Sequence, residues 1–174
     1  MKAKILLLWT VLAALAASNA FSVKAYDMSL SGSINPNGSV RGMAIRDATA
    51  FLAIANVGLQ IYDLGNQTAS PSLIKEYGLA NYDYPGDILI YNSYLYLSGG
   101  GGIRILDVSD PTSPTLKGIY PSPQSSMLAR QGNLLFAVRS GQPSELRILK
   151  LDDPTSPTTV SVYPMSFVGG IAVD

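Results

Sequence analysis

Gly102-Ile-Arg-Ile-Leu-Asp-Val-Ser-Asp-Pro-Thr-Ser-Pro114 is an apolar run ending in an acid, followed by a polar turn punctuated by proline. It has a looser relative at Gly58-Leu-Gln-Ile-Tyr-Asp-Leu64 and another at Leu146-Arg-Ile-Leu-Lys-Leu-Asp-Asp-Pro-Thr-Ser-Pro157. Pro71, Pro114 and Pro157 lie 43 residues apart, as do Tyr77, Tyr120 and Tyr163. Ile61, Ile105 and Ile148 are separated by 44 and then 43. A shared period with small insertions marks a repeat architecture, and about 40 to 45 residues suits a four-stranded propeller blade.

The length changes fall in loops. Ser98-Gly-Gly-Gly-Gly-Ile103 joins two strand-like runs in the second unit, and the longer Arg139-Ser-Gly-Gln-Pro-Ser-Glu145 fills the same place in the third. Strands keep their length, because a slip of one residue turns every side chain to the other face.

Outward from these markers, the chain divides into a lead-in and repeats. Residues 1–20 read as a signal peptide and residues 21–39 as a lead-in. The lead-in contains Leu30-Ser-Gly-Ser-Ile34, read as the last strand of a preceding or closing blade. Residues 40–83, 84–123 and 124–166 are three repeats, and 167–174 opens a fourth with a strand from Val168. Each complete repeat holds four short strand-like runs separated by turn residues. In the second they are Asp87–Ile90, Tyr94–Leu97, Ile103–Leu106 and Leu116–Tyr120. Runs such as Leu134-Leu-Phe-Ala-Val138 are apolar on both faces. A half-solvated antiparallel sheet alternates, so sheets stacked on both sides are expected. The fold class is therefore all-β, a β-propeller-like repeat of four-stranded antiparallel blades forming an open, incomplete ring. Closed forms need roughly six or seven blades, from a longer chain or from self-association of segments.

Composition narrows the function. Twelve basic and twelve acidic side chains leave formal net charge zero, which gives no electrostatic footing for nucleic acid as a partner. Lys2 and Lys4 precede an apolar run, Ile5 to Ala17, and the small residues Ser18-Asn-Ala20. That pattern predicts cleavage after Ala20 and export to a periplasmic, extracellular or surface location. No later segment is apolar enough for a membrane-spanning helix. The chain has neither cysteine nor histidine, so disulfides, the usual zinc sites and Ser-His or Cys nucleophiles are excluded from this segment.

The same residues carry a resemblance. The stretch from Gly102 to Pro114, with Gly118 and Tyr120 after it, resembles the LVIVD repeat of exported and surface proteins of bacteria and archaea. The first unit departs at Gly65-Asn-Gln-Thr-Ala-Ser70, where Ser-Asp-Pro is lost. The third has Lys150 in place of Asp63 and Asp107. The resemblance implies a β-propeller-like repeat domain and supplies no catalytic residue.

Asp63, Pro71, Tyr77, Asp107, Asp110, Pro111, Pro114, Tyr120, Asp153, Pro154, Pro157 and Tyr163 are the structural repeat markers. Aspartate and serine before proline suit turns in which side chains bind backbone N–H groups. Asp107, Asp110, Asp152 and Asp153 are also oxygen ligands by type, so weak calcium binding is the competing reading. Asp47, Asp87 and Asp174 stand on or beside inner strands, where carboxylates would face a channel or solvent. Tyr82 and Tyr84, in a connecting loop, are the surface-contact residues. Gly99-Gly-Gly-Gly102 lacks the following Lys-Ser/Thr and helix of a phosphate loop. Asn37-Gly-Ser39 and Asn66-Gln-Thr68 match the glycosylation pattern.

These features predict a noncatalytic exported scaffold that binds a protein or carbohydrate at its loops, with no cofactor. One alternative is a fragment of an extracytoplasmic hydrolase using carboxylates, since such a site needs only two suitably spaced acids. The other is a purely structural repeat module.

Overall fold

The computed structural model describes residues 33–65, 70–78, 84–122, 127–139, 143–166 and 169–173. They form twelve strands in three four-stranded antiparallel sheets. The first sheet is β1 Val40–Arg46, β2 Thr49–Ile54, β3 Gly58–Asp63 and β4 Ser72–Gly78. The second is β5 Pro85–Tyr91, β6 Tyr94–Gly99, β7 Gly102–Asp107 and β8 Thr115–Tyr120. The third is β9 Met127–Gln131, β10 Leu134–Arg139, β11 Ser144–Lys150 and β12 Thr158–Met165. In each sheet the strands lie side by side in chain order, and no helix occurs among the described residues.

Local chemistry sets this up-and-down path. The turns between first and second strands place Asp47, Asn92 and Gly132 at positive φ, at 53°, 54° and 58°. These are residue types that enter the left-handed region at low cost. The same turns are tied to the chain leaving the third strand, through Leu64 N–H to Ala48 O, Val108 N–H to Ser93 O, and Leu151 N–H to Asn133 O. Each sheet also carries an irregularity at one shared place. Pairing shifts between Ile61 and Tyr62, between Ile105 and Leu106, and between Ile148 and Leu149. The outer strand thereby gains an unpaired residue, Ile74, Lys117 or Val160, and bends as a β-bulge does.

Packing explains the two-faced apolar strands. Phe51, Leu59 and Ile61 of the first sheet meet Leu95, Leu97 and Leu106 of the second in one core. Tyr96, Ile103 and Ile105, on the opposite face of the second sheet, meet Leu128, Leu135 and Leu149 of the third in another. The middle strands β6 and β7 thus contribute to both cores. Full burial of one such side chain stabilises by about 1.5–3 kcal/mol. The innermost strands β1, β5 and β9 contact their neighbours across the sheet boundaries, so the sheets fan outward from their inner edges as propeller blades do.

Two parts of the sequence reading meet a limit here. Leu30 to Gly32 of the lead-in strand lie outside the described residues, and Ser33 and Ile34 form no strand. Residues 169–173 form no strand either, in contrast to the strand expected from Val168. A strand exists through its hydrogen-bonded neighbour, and apolar sequence alone does not provide one. Val168 and Asp174 themselves lie outside the described residues.

Candidate functional site

The third-to-fourth strand turns of the second and third sheets are built from paired side-chain caps. Asp107 Oδ1 accepts from the Ser109 backbone N–H at 3.0 Å and from Ser109 Oγ at 2.8 Å. Asp110 Oδ1 accepts from Thr112 N–H at 2.9 Å and Thr112 Oγ1 at 2.7 Å. Asp153 repeats the second arrangement with Thr155, at 2.9 and 2.8 Å. In the first sheet Asp63 Oδ1 accepts from Gly65 N–H, at 2.8 Å.

These hydrogen bonds favour the ionised acids. The Ser109 backbone N–H, and then its hydroxyl, hold Asp107 below the ordinary carboxylate range. The Thr112 hydroxyl and backbone do the same for Asp110, and those of Thr155 for Asp153. Each carboxylate is an acceptor poised to stay charged, which is the opposite of a general acid.

Between β8 and the turn from Pro154 to Pro157 lies an open groove of about 350 Å³. Lys117, Gly118, Ile119, Tyr120, Thr155 and Ser156 line it. Gly118 sets its depth, because a Cβ there would stand 2.3 Å from the Thr155 carbonyl oxygen. Below it, Tyr96 is fully buried and its hydroxyl donates to the Pro154 carbonyl at 2.8 Å. Burial pushes the Tyr96 pKa far above the ordinary tyrosine value. Tyr120 Oη shares a hydrogen with Thr159 Oγ1 at 2.7 Å and accepts from Arg147 at 3.4 Å, while Arg147 pairs with Glu145 at 2.6 Å. Lys117 reaches Asp107 at 3.6 Å. The groove is therefore lined by one basic residue, Lys117, and by three hydroxyl-bearing residues, Tyr120, Thr155 and Ser156.

The other sequence-marked residues are spread over the chain. Pro114 and Pro157 are buried beneath their turns, Pro111 and Pro154 are half-buried, and Pro71 is half-buried before β4. Tyr77 packs against the first core, Tyr120 belongs to the second, and Tyr163 is 52% exposed. Tyr84 is 61% exposed, whereas Tyr82 lies outside the described residues. Asp47 is an exposed turn residue. Asp152 binds Lys150 at 2.7 Å and accepts from Asn133 Nδ2 at 3.0 Å. Asn37 is exposed, and Asn66 lies outside the described residues. No three acids come together as a metal-binding group among the described residues.

Asp87 does something that spacing does not reveal. Its Oδ1 accepts from Ile88 N–H at 2.8 Å, and its Oδ2 accepts from Leu128 N–H of the third sheet at 3.0 Å. It joins two inner strands. Gly118, Tyr96 and Thr155 were likewise invisible as a group, although overlaying the three repeats would have shown Gly118 standing where the first repeat has Lys75.

Among solved structures, the chain is similar to two computationally designed proteins. With Ika4 the TM-score is 0.59 at 8% identity, over 81% of this chain and 83% of that one. With Ika8 it is 0.55 at 7% identity, over 72% of this chain and 36% of the other, so the chain spans about a third of Ika8. At such identities the likeness is one of fold. No curated protein matches the chain. Residues 84–122, the second sheet together with its capped turn, match the family model described as the LVIVD repeat. The chain therefore carries an LVIVD repeat, folded as β5–β8 within a β-propeller-like, all-β scaffold of stacked four-stranded sheets.

Proposed function

We propose that this scaffold is an exported, noncatalytic binding module that presents its turn edge to a protein or carbohydrate at a surface. The observation that carries the reading is the commitment of the turn carboxylates. Asp107, Asp110 and Asp153 each cap a backbone N–H and a hydroxyl, and all are held in the ionised form. A carboxylate hydrolase needs one acid kept protonated near a second that is free to act. The open groove beside Lys117, Tyr120 and Ser156 suits an extended polar segment rather than an enclosed small molecule. Export rests on the basic and apolar leader over residues 1–20.

The test uses the purified mature chain with intact cells, isolated wall polysaccharide and a panel of chromogenic glycosides and esters. The expected result is retention on cells or polysaccharide, weakened by Lys117→Glu, with no turnover above the uncatalysed rate. Turnover abolished by replacing a single carboxylate would instead establish the hydrolase. Equal retention of wild type and Lys117→Glu would remove the groove from the binding surface.

A further inference from the structure

In each sheet the turn between the first and second strands is closed by one facing pair: Arg46 and Thr49, Tyr91 and Tyr94, Gln131 and Leu134. The second sheet alone places two aromatic rings there. The repeat does not require them, because the first and third sheets make the same turn with no aromatic residue at either place.

The register fixes which face the rings occupy. Residues directly opposite each other in antiparallel strands share a face of the sheet, as do residues two apart on one strand. Tyr91 pairs with Tyr94, and Tyr94 pairs with Asp107. All three therefore stand on the face that carries Tyr96 into the core shared with the third sheet. Tyr91 and Tyr94 pack against that core and remain partly exposed.

The third sheet adds charge. The Arg130 guanidinium sits 4.8 Å from the Tyr91 ring centroid and donates to the Gly132 carbonyl, which holds it in place while it stays partly exposed. Asp153, which is exposed, is close by as well: after burial itself, Tyr91, Tyr94 and Asp153 all add to the upward push on the Tyr96 hydroxyl. Val108 N–H binds Ser93 O, so the rings lie at the same end as the capped turns. Tyr96 donates to Pro154 O, in the turn whose Thr155 and Ser156 line the groove.

We propose that Tyr91 and Tyr94, with Arg130 and Asp153, form a carbohydrate subsite that continues the groove; this rests on the binding reading above and narrows its partner to a sugar chain. A pyranose has flat apolar C–H faces and a rim of hydroxyls. Tyrosine meets the first with a flat apolar ring and a polar tip. The guanidinium donates to sugar hydroxyls and the carboxylate accepts from them. One cation and one anion in the site favour a neutral, hydroxyl-rich ligand over a strongly charged peptide.

The test places the purified mature chain on an array of neutral, N-acetylated and uronic oligosaccharides, followed by calorimetric titration of the sugar bound best. Tyr94→Leu puts there the residue that the third sheet carries as Leu134, and Tyr91→Gln copies Gln131 in the same way. Both keep a residue type that the repeat already accommodates and remove a flat ring. The expected result is saturable binding by the wild type, weakened about tenfold in either variant with an unchanged circular dichroism spectrum. Tyr94→Phe keeps the ring and should stay within about threefold. Thr49→Ala, at the equivalent place in the first sheet, should bind as the wild type does. Affinities of Tyr94→Leu and Tyr91→Gln equal to that of the wild type would overturn the subsite. Binding to no oligosaccharide, with retention on intact cells preserved, would overturn the carbohydrate and leave a protein partner for the groove. Loss of retention on cells as well would overturn the binding reading itself.

Discussion

The contact between the first and second sheets and the contact between the second and third use the same repeat positions, yet they are held differently. The first is an apolar core around Phe51, strapped by Arg46, whose guanidinium sits 5.6 Å from the Phe51 ring and donates to the carbonyls of Asn92 and Val108. The second is pinned at three depths. Asp87 binds Leu128 N–H at the inner strands, Tyr96 of the middle strand β6 binds Pro154 in the turn between β11 and β12, and Tyr120 binds Thr159 at the outer strands. Gly118 then lets the Thr155 carbonyl approach β8. Apolar area stabilises both contacts, but it is indifferent to small sliding. Hydrogen bonds at three depths fix spacing and angle, so the second contact is the rigid one, and the groove lies on it.

The largest effect tests what the contacts share. Phe51→Ala and Tyr96→Ala each empty a fully buried aromatic site, and each should cost about 3–5 kcal/mol in denaturant unfolding. A mild effect at either position would show that its core is not load-carrying. Gly118→Ala comes next and separates the two contacts. Overpacking against Thr155 should cost about 1–3 kcal/mol. Lys75→Ala, at the equivalent position of the first contact, should stay within about 0.5 kcal/mol. Equal costs would erase the distinction.

A reciprocal exchange sharpens it further. Phe51→Tyr should cost about 1–3 kcal/mol by adding a hydroxyl to a fully buried site, and Tyr96→Phe about 0.5–1.5 kcal/mol by losing the bond to Pro154. The smallest effects are in pH. Tyr96 has a folded pKa raised above the ordinary 10.0 by desolvation. Its contribution is complete below pH 10 and is lost as pH rises beyond that value, because only the unfolded chain ionises readily. Tyr96→Phe should flatten that alkaline decline. Asp107, Asp110 and Asp153 have depressed pKa values, so their contribution is present above the ordinary carboxylate range and is lost as pH falls through the lower folded values. A thermal melt series from neutral to acid pH should show this as a shallow loss that Asp110→Asn reduces.

Much of the architecture was legible because it repeats. The 43-residue period and runs such as Ile103-Arg-Ile-Leu106 specify short strands with two buried faces, and four per unit follow from the turn residues. The capped turns were legible for the same reason, since Asp-Pro-Thr-Ser carries its bonding partners within two residues. What joins one sheet to the next was not. Tyr96 and Pro154 are 58 positions apart, and Asp87 and Leu128 are 41 apart. Their pairing depends on how two sheets are offset, which periodicity within a strand does not encode. Asp87 consequently read as a channel or solvent carboxylate. The recurring bulge at Ile74, Lys117 and Val160 was hidden as well, because a bulge adds a residue without interrupting the apolar pattern.

The most direct measurement is a nuclear Overhauser spectrum of protein labelled at leucine methyls and aromatic rings. Phe51 is predicted to contact the methyls of Leu95, Leu97 and Leu106, and Tyr96 those of Leu128, Leu135 and Leu149, with no crossing between the two sets. Contacts from Phe51 to Leu135 or Leu149, or the absence of any contact between sheets, would contradict the stacking of successive repeats on which the scaffold rests.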